Sequence, residues 1–382
     1  MFNKSFHLFL TLITLGLFNA CQQQQNGQHT QSGLSKQDFQ TVVNGDSINL
    51  FVLHNTQGME ACITNYGGRV VSLMVPDKNG KLIDVVLGFS NIGDYLAQPS
   101  SFGATMGRVT NRIGNGKFVL DGDTILIDKN NGKHAIHGGS AGWRQQVFTA
   151  EQTNDSTLHL SYTSPDGESG FPGNVRVQVS YTLTSNGALA IHYRATTDKK
   201  TVVNLTNHSF FNLSGNPEQQ EMDDILYVNG DAYTPLDSTL IPTGQILPVA
   251  HTPFDFRQPM PIKDGIARDS LNEQLQFVDG LDHNWVLNTK GDTTTLAASL
   301  HSPKSGITLE VYTNEPGIQV YTSNSLDGSQ SGKGGKFFQQ YGAVCLETQH
   351  YPDAPNKPDW PSTVLEPGEV YQSTCIYRFT VK

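Results

Sequence analysis

Val175-Arg176-Val177-Gln178-Val179-Ser180-Tyr181-Thr182-Leu183-Thr184 sets an apolar side chain at every second position and a polar one between. Successive side chains of a strand point to opposite faces, so this spacing buries one face and wets the other. Ser185-Asn186-Gly187 follows, with a residue able to take the positive φ of a tight turn. Leu189, Ile191 and Tyr193 then alternate with Ala190, His192 and Arg194. Two half-buried strands joined by a short turn make a β-hairpin, and the hairpin sets the fold class.

Working outward, Phe118-Val119-Leu120 and Thr124 to Ile127 flank Asp121-Gly122-Asp123 as a second hairpin. Further strands are expected at 47–53, 59–64, 69–75, 157–163, 307–313, 318–323, 342–348 and 370–381. The 37 glycines and 18 prolines suit many turns between short strands. Helical signals are few: Ser270-Leu271-Asn272-Glu273 has a capping-box pattern, with Leu271, Leu275 and Val278 as a short face. The residues therefore predict an all-β fold, one large antiparallel domain over 41–382. Long loops are expected at 88–112, 128–146, 214–224 and 325–340, and loops of that length in a compact domain usually carry function.

The N-terminus reads as an address. Lys4 precedes an apolar run from Leu8 to Phe18, and Asn19-Ala20-Cys21 offers a cleavage point, as in a signal peptide over 1–20. A cysteine directly after such a run resembles a bacterial lipobox, which makes Cys21 a lipidation site; ordinary cleavage after Ala20 is the rival. Acyl chains contribute roughly 0.8 kcal/mol per buried methylene, so two would hold the chain to a membrane. Residues 21–40, polar and low in complexity, read as a flexible tether. The expected location is the bacterial cell envelope, periplasmic or lipid-anchored.

A net charge of −10 and a pI near 5.6 exclude a nucleic-acid partner and favour a neutral small molecule. Cys62, Cys345 and Cys375 form at most one disulfide, lack metal-type spacing and read as buried strand fillers.

Several segments could carry chemistry. Asn204-Leu205-Thr206-Asn207-His208-Ser209-Phe210-Phe211-Asn212-Leu213 crowds amides, hydroxyls and one histidine between apolar positions, as a polar pocket floor would. In Val344 to Asp353, Cys345, Glu347 and Gln349 share one strand face, and a carboxylate held inside needs a partner or a task. Gly107 to Phe118 can project a guanidinium from a tight glycine-rich loop. Gly280-Leu281-Asp282-His283-Asn284-Trp285 combines an acid, a base, an amide and an indole, the usual furnishing of a carbohydrate site. His134 and His137 lack a third ligand at zinc spacing, so no metal is expected. Gly138-Gly139-Ser140-Ala141-Gly142 lacks the strand-then-helix setting of a nucleophile elbow, and Ser331 to Lys336 lacks the helix of a phosphate loop.

Taken together, these segments resemble the aldose 1-epimerase family, also called galactose mutarotases. The resemblance rests on residues 107–113, 136–139, 204–213, 280–285, 315–321 and 345–353, in the family's order. Phe210 stands where the family often has tyrosine. The resemblance implies a β-supersandwich with an open cleft on one sheet, His208 as general acid and Glu347 as general base. It also implies that Asn111, Arg112, His137, Asp282 and Gln319 bind sugar hydroxyls. The substrate would be a free hexose such as glucose or galactose, acted on by a monomer. Opening a hemiacetal removes the C1 hydroxyl proton and gives one to the ring oxygen, a task for a carboxylate and an imidazolium titrating near 6.5. That chemistry needs no cofactor; a structural cation such as calcium is compatible, but no acidic cluster calls for it. Two other readings are a catalytically silent sugar-binding lipoprotein on the same fold, and a glycoside hydrolase using Asp282 and Glu347.

Overall fold

The computed structural model describes residues 30–98 and 100–382. The Val175–Leu183 strand buries Val175, Val177, Val179, Tyr181 and Leu183 and exposes Arg176 and Gln178, as its alternation requires. It pairs antiparallel with Ala188–Thr197, from Val175 opposite Thr197 to Leu183 opposite Leu189. Gly187 closes the turn at φ 81°, and a Cβ there would lie 2.9 Å from Gln57 Oε1.

This hairpin sits inside a nine-stranded antiparallel sheet. Its order is Thr149–Asn154, Thr157–Ser164, Val175–Leu183, Ala188–Thr197, Tyr371–Val381, Ile307–Thr313, Ala298–His301, Ile225–Val228 and Met260–Pro261. A six-stranded sheet runs Phe210–Phe211, Val344–Gln349, Gly317–Tyr321, Asp282–Val286, Ala232–Thr234 and Leu247–Pro248. A third, of four strands, spans Leu50–His54, Glu60–Thr64, Arg69–Pro76 and Leu82–Asp84. The larger two meet through a common core that holds Tyr181, Ile191, Leu309, Ile318, Val320 and Leu346. Each such side chain contributes about 1.5–3 kcal/mol on burial. The Tyr377 hydroxyl crosses between them to donate to the Leu346 carbonyl at 2.8 Å.

All six residues of Val344–Gln349 are buried, which is not the half-wet pattern of an outer sheet. Val344 and Leu346 face the core, so Cys345, Glu347 and Gln349 face the other way, beneath the long loops. That second buried face positions the site.

Several expectations are corrected. Expected strand 47–53 divides at Asn49, whose N–H donates to Asn65 Oδ1 at 2.8 Å, leaving Asp46–Ile48 and Leu50–His54 in different sheets. The helix is Glu273–Val278, capped by Asn272 and not Ser270, so Leu271 stays 80% exposed. Two further short helices, Ile92–Ala97 and Ile262–Ala267, were not expected. Residues 30–40 are not a tether: Gln31 N donates to Glu60 Oε1 at 2.8 Å, and Leu34 and Phe39 are buried. An apolar pair within a polar stretch found a place in the core. The expected signal peptide, the Cys21 modification and the start of the expected tether lie outside the described residues. Among those described, no helix is long and apolar enough to cross a membrane.

Candidate active site

A cavity of about 950 Å³ opens on the face of the six-stranded sheet that carries Cys345 and Glu347. His208 comes from Thr206–His208, which pairs with Ala104–Met106 and packs beside the Val344–Gln349 strand. Asn204 ties the two segments together: its Nδ2 donates to the His350 carbonyl at 3.1 Å, and its Oδ1 accepts from His350 N at 3.0 Å. The other asparagines of the polar stretch also do scaffold work. Asn207 donates to the Gly103 carbonyl and Asn212 to the Gly342 carbonyl. Of the expected pocket floor, His208 and Phe210 reach the cavity.

His208 Nε2 stands 3.5 Å from Glu347 Oε1, and its Nδ1 lies 3.6 Å from Cys345 Sγ. The ring stacks on Phe210 at 5.0 Å between centroids, and His137 meets it edge-on at 5.2 Å. Ligand atoms of His208, Cys345 and Glu347 lie within 4.8 Å of one another. The imidazole spends a different nitrogen on each neighbour, which suits proton exchange better than a metal cage.

Burial drives the imidazole down to about 3, so an imidazolium is not its resting form. Burial first, then the Asp282 charge, pushes Glu347 well above the carboxylate range; Arg112 opposes this and is outweighed. Arg112 thus does not keep Glu347 ionised. Its Nη1 is 3.7 Å from Asp282 Oδ2. Gln319 Nε2 donates to the other Asp282 oxygen at 2.7 Å, from the residue opposite Glu347 in the sheet. Asp282 is thus held by Arg112 and Gln319, not free to serve as a hydrolase's acid.

Asn111 and His137 fix one another. Asn111 N donates to His137 Nδ1 at 3.2 Å, and His137 N donates to the Asn111 carbonyl at 3.0 Å. Nδ1 is therefore the acceptor and Nε2 carries the hydrogen. Burial, then the His208, Arg144 and Arg112 charges, holds His137 neutral. Gly138 lets this loop close: a Cβ there would lie 1.9 Å from the Gly107 carbonyl oxygen.

Of the expected residues, Asn111, Arg112, His137, His208, Asp282 and Glu347 line one cavity. Gln319 sits one layer behind, buried and holding Asp282. Trp285 is not part of the site: it is buried in the core and its Nε1 donates to the Phe254 carbonyl at 3.0 Å. Arg108 is also structural, reaching the carbonyls of Pro172 and Gly173. Ser140 is exposed and bound to Asp128. Lys333 reaches inward to Asp84 Oδ2 at 2.8 Å and is no phosphate ligand. Phe102, Arg144 and Tyr321 line the cavity without having been singled out, because periodicity does not mark residues on irregular loops or strand ends.

The family model described as "Aldose 1-epimerase" matches residues 49–378. Galactose mutarotase of Rattus norvegicus is 40% identical over 339 residues, covering 88% of this chain and 95% of that protein. Aldose 1-epimerase of Escherichia coli (strain K12) is 35% identical over 338 residues, 88% of this chain and 96% of that one. The crystal structure of a GalM/aldose epimerase homologue from C. elegans superposes with a TM-score of 0.81 at 31% identity, covering 87% of this chain and 99% of that one. Galactose 1-epimerase from Lactobacillus acidophilus gives 0.78 at 27% identity, covering 89% and 97%. The expected bacterial-envelope location is corrected by these relatives: matches at 40–41% identity are galactose mutarotases of rat and pig, animals without such an envelope. With the fold, the aligned sequence and the buried imidazole–carboxylate pair in agreement, the chain belongs to the aldose 1-epimerase family.

Proposed function

We propose that this isomerase interconverts the α and β anomers of free hexoses, glucose or galactose, in hexose metabolism, with His208 and Glu347 as its acid/base pair. The observation that carries the assignment is the 3.5 Å contact between His208 Nε2 and Glu347 Oε1 in the wall of one cavity. An anomeric hydroxyl and a ring oxygen share one carbon, so a pair this close can serve both.

Ring opening moves the O1 proton to the Glu347 carboxylate while the His208 imidazolium protonates the ring oxygen. Rotation about C1–C2 presents the other carbonyl face, and the same transfers in reverse close the ring. Burial favours the neutral imidazole and the protonated carboxyl, which hold the same number of protons as the ion pair. At 3.5 Å the attraction between the charged forms is about 5 kcal/mol for an effective dielectric near 20, equivalent to about 3.5 pH units. This is comparable with the fall of His208 from 6.5 to about 3. The attraction within the ion pair therefore offsets part of what burial costs, which brings the two arrangements closer in energy.

Asn111, Arg112 and His137 Nε2 present donors to hydroxyls, and Asp282, aimed by Gln319, presents an acceptor. No nucleotide or metal enters these steps. A binding-only protein would gain nothing from burying an acid/base pair. Polarimetry on freshly dissolved α-galactose and α-glucose tests the assignment: decay faster than buffer, lost in Glu347→Gln, is expected, and a fully active variant would overturn it.

A further inference from the structure

The wall of the cavity beside His208 carries positive charge that the reaction above leaves unused. Arg144 lines the cavity, yet among the described residues its guanidinium makes no hydrogen bond and no ion pair, and its Nε is buried without a partner. Directly behind it lies Arg69, 0% exposed and also without a carboxylate. Arg69 Nη2 donates to the Arg144 carbonyl at 2.7 Å, and Nη1 donates to the Ser100 and Phe102 carbonyls at 3.1 Å. One buried arginine thus clamps together the two segments that present Arg144 and Ser100. Ser100 lines the cavity too, and its Oγ is buried without a partner among the described residues. The titratable groups that bear on the two guanidiniums include no carboxylate: neutral Tyr66 for Arg144, and neutral Tyr95 and Tyr66 with Arg144 for Arg69. The cavity's carboxylates stand elsewhere, Asp282 held by Arg112, Glu347 facing His208, and Asp279 and Asp327 on other loops.

A desolvated guanidinium is unfavourable until an anion meets it, and its planar fork matches a carboxylate. We propose that Arg144, with Ser100, recognises a carboxylate at C6 of the sugar, which makes uronic acids such as galacturonate substrates of this enzyme.

The placement follows from sugar geometry and rests on the acid/base assignment above. C6 is attached to C5, next to the ring oxygen, so its substituent falls on the side of the group that protonates that oxygen. The segment Arg69 clamps lies on the His208 side: Phe102 meets Phe210 at 4.8 Å and Phe210 stacks on His208 at 5.0 Å, whereas Arg112 is tied to Asp282. The arginine wall therefore flanks the ring-oxygen side of the pair. The volume of about 950 Å³ leaves ample room for the larger group. One guanidinium and one hydroxyl suit a carboxylate, whereas a phosphate dianion would draw more donors.

The test compares galacturonate, galactose and galactose 6-phosphate by polarimetry with wild-type protein, Arg144→Gln and Arg144→Lys, each checked for folding by its melting transition. Galacturonate should be accelerated at least as well as galactose. Arg144→Gln should lower the galacturonate-to-galactose ratio of kcat/KM by about tenfold or more, chiefly through KM, and Arg144→Lys should restore part of it. Should Arg144→Gln fail to fold, wild-type salt dependence decides. Raising ionic strength toward ~1 M, where the screening length is about 3 Å, should weaken galacturonate inhibition of galactose turnover. Galactose turnover without acceleration of galacturonate would overturn the inference, as would an unchanged ratio in Arg144→Gln or a preference for the 6-phosphate. Failure of the wild type on galactose as well would overturn the acid/base reading itself.

Discussion

Cys345 Sγ and Glu347 Oε1 address opposite nitrogens of one imidazole, Nδ1 of His208 at 3.6 Å and Nε2 at 3.5 Å. Burial pushes the thiol up, so it is a neutral S–H donor toward Nδ1 and leaves the hydrogen of a neutral ring on Nε2, facing Glu347.

Cys345→Ala should therefore lower kcat several-fold, with little change in KM, because the ring loses the contact that orients its tautomer. Cys345→Ser, which retains a donor, should recover most of the rate. Steady-state polarimetry separates the two; equal losses in both variants would assign Cys345 to packing alone.

The pH profile of kcat/KM should be a broad plateau. The working pair holds one shared proton: gaining another creates a buried cation, and losing it creates a buried anion. Burial lowers His208 and raises Glu347, so the acid limb should fall below 6.5 and the alkaline limb well above 4.5. The Asp282 charge contributes to raising Glu347, so Asp282→Asn should move the alkaline limb to lower pH. A pH–rate series on both proteins checks the direction.

Much of this site is legible in the chain. Alternation places Glu347 on the face of Cys345 and away from Leu346, and the sheet obeys it. Other parts are not legible. Trp285 beside Asp282 reads as sugar-site furnishing, yet alternation sends it to the opposite face, into the core. Arg144 follows a glycine-rich loop with no periodic pattern, and its exposure to the cavity depends on Arg69, 75 residues earlier. The neutral resting state of His208 is a product of burial, which a local sequence window does not report.

A second titration should appear in stability. Asp224 is buried, its oxygens have no partner among the described residues, and burial with the adjacent Glu221 raises it from 3.8 to about 9. A carboxyl raised in the folded state contributes its stability fully below its ordinary value and loses it as pH rises toward the folded one. Asp224→Asn should therefore flatten the fall of Tm between about pH 4 and pH 9. Thermal melts across that range measure it, and parallel curves for the two proteins would contradict it.

Residues 30–40 should matter for folding. Phe39 is 0% exposed and packs against Tyr95 at 6.5 Å between ring centroids. Phe39→Ala should cost about 3–5 kcal/mol, as for other fully buried aromatic truncations. Urea denaturation reads the difference, and an unchanged midpoint would return this segment to a tether.

The most direct test of the acid/base assignment is the anomerisation rate of fresh α-galactose with Glu347→Gln and His208→Gln, each shown to be folded. Positioned proton transfer contributes about 100- to 10,000-fold per group, and losses in kcat of that order are expected in both variants. Retention of the wild-type rate by either one would contradict the account.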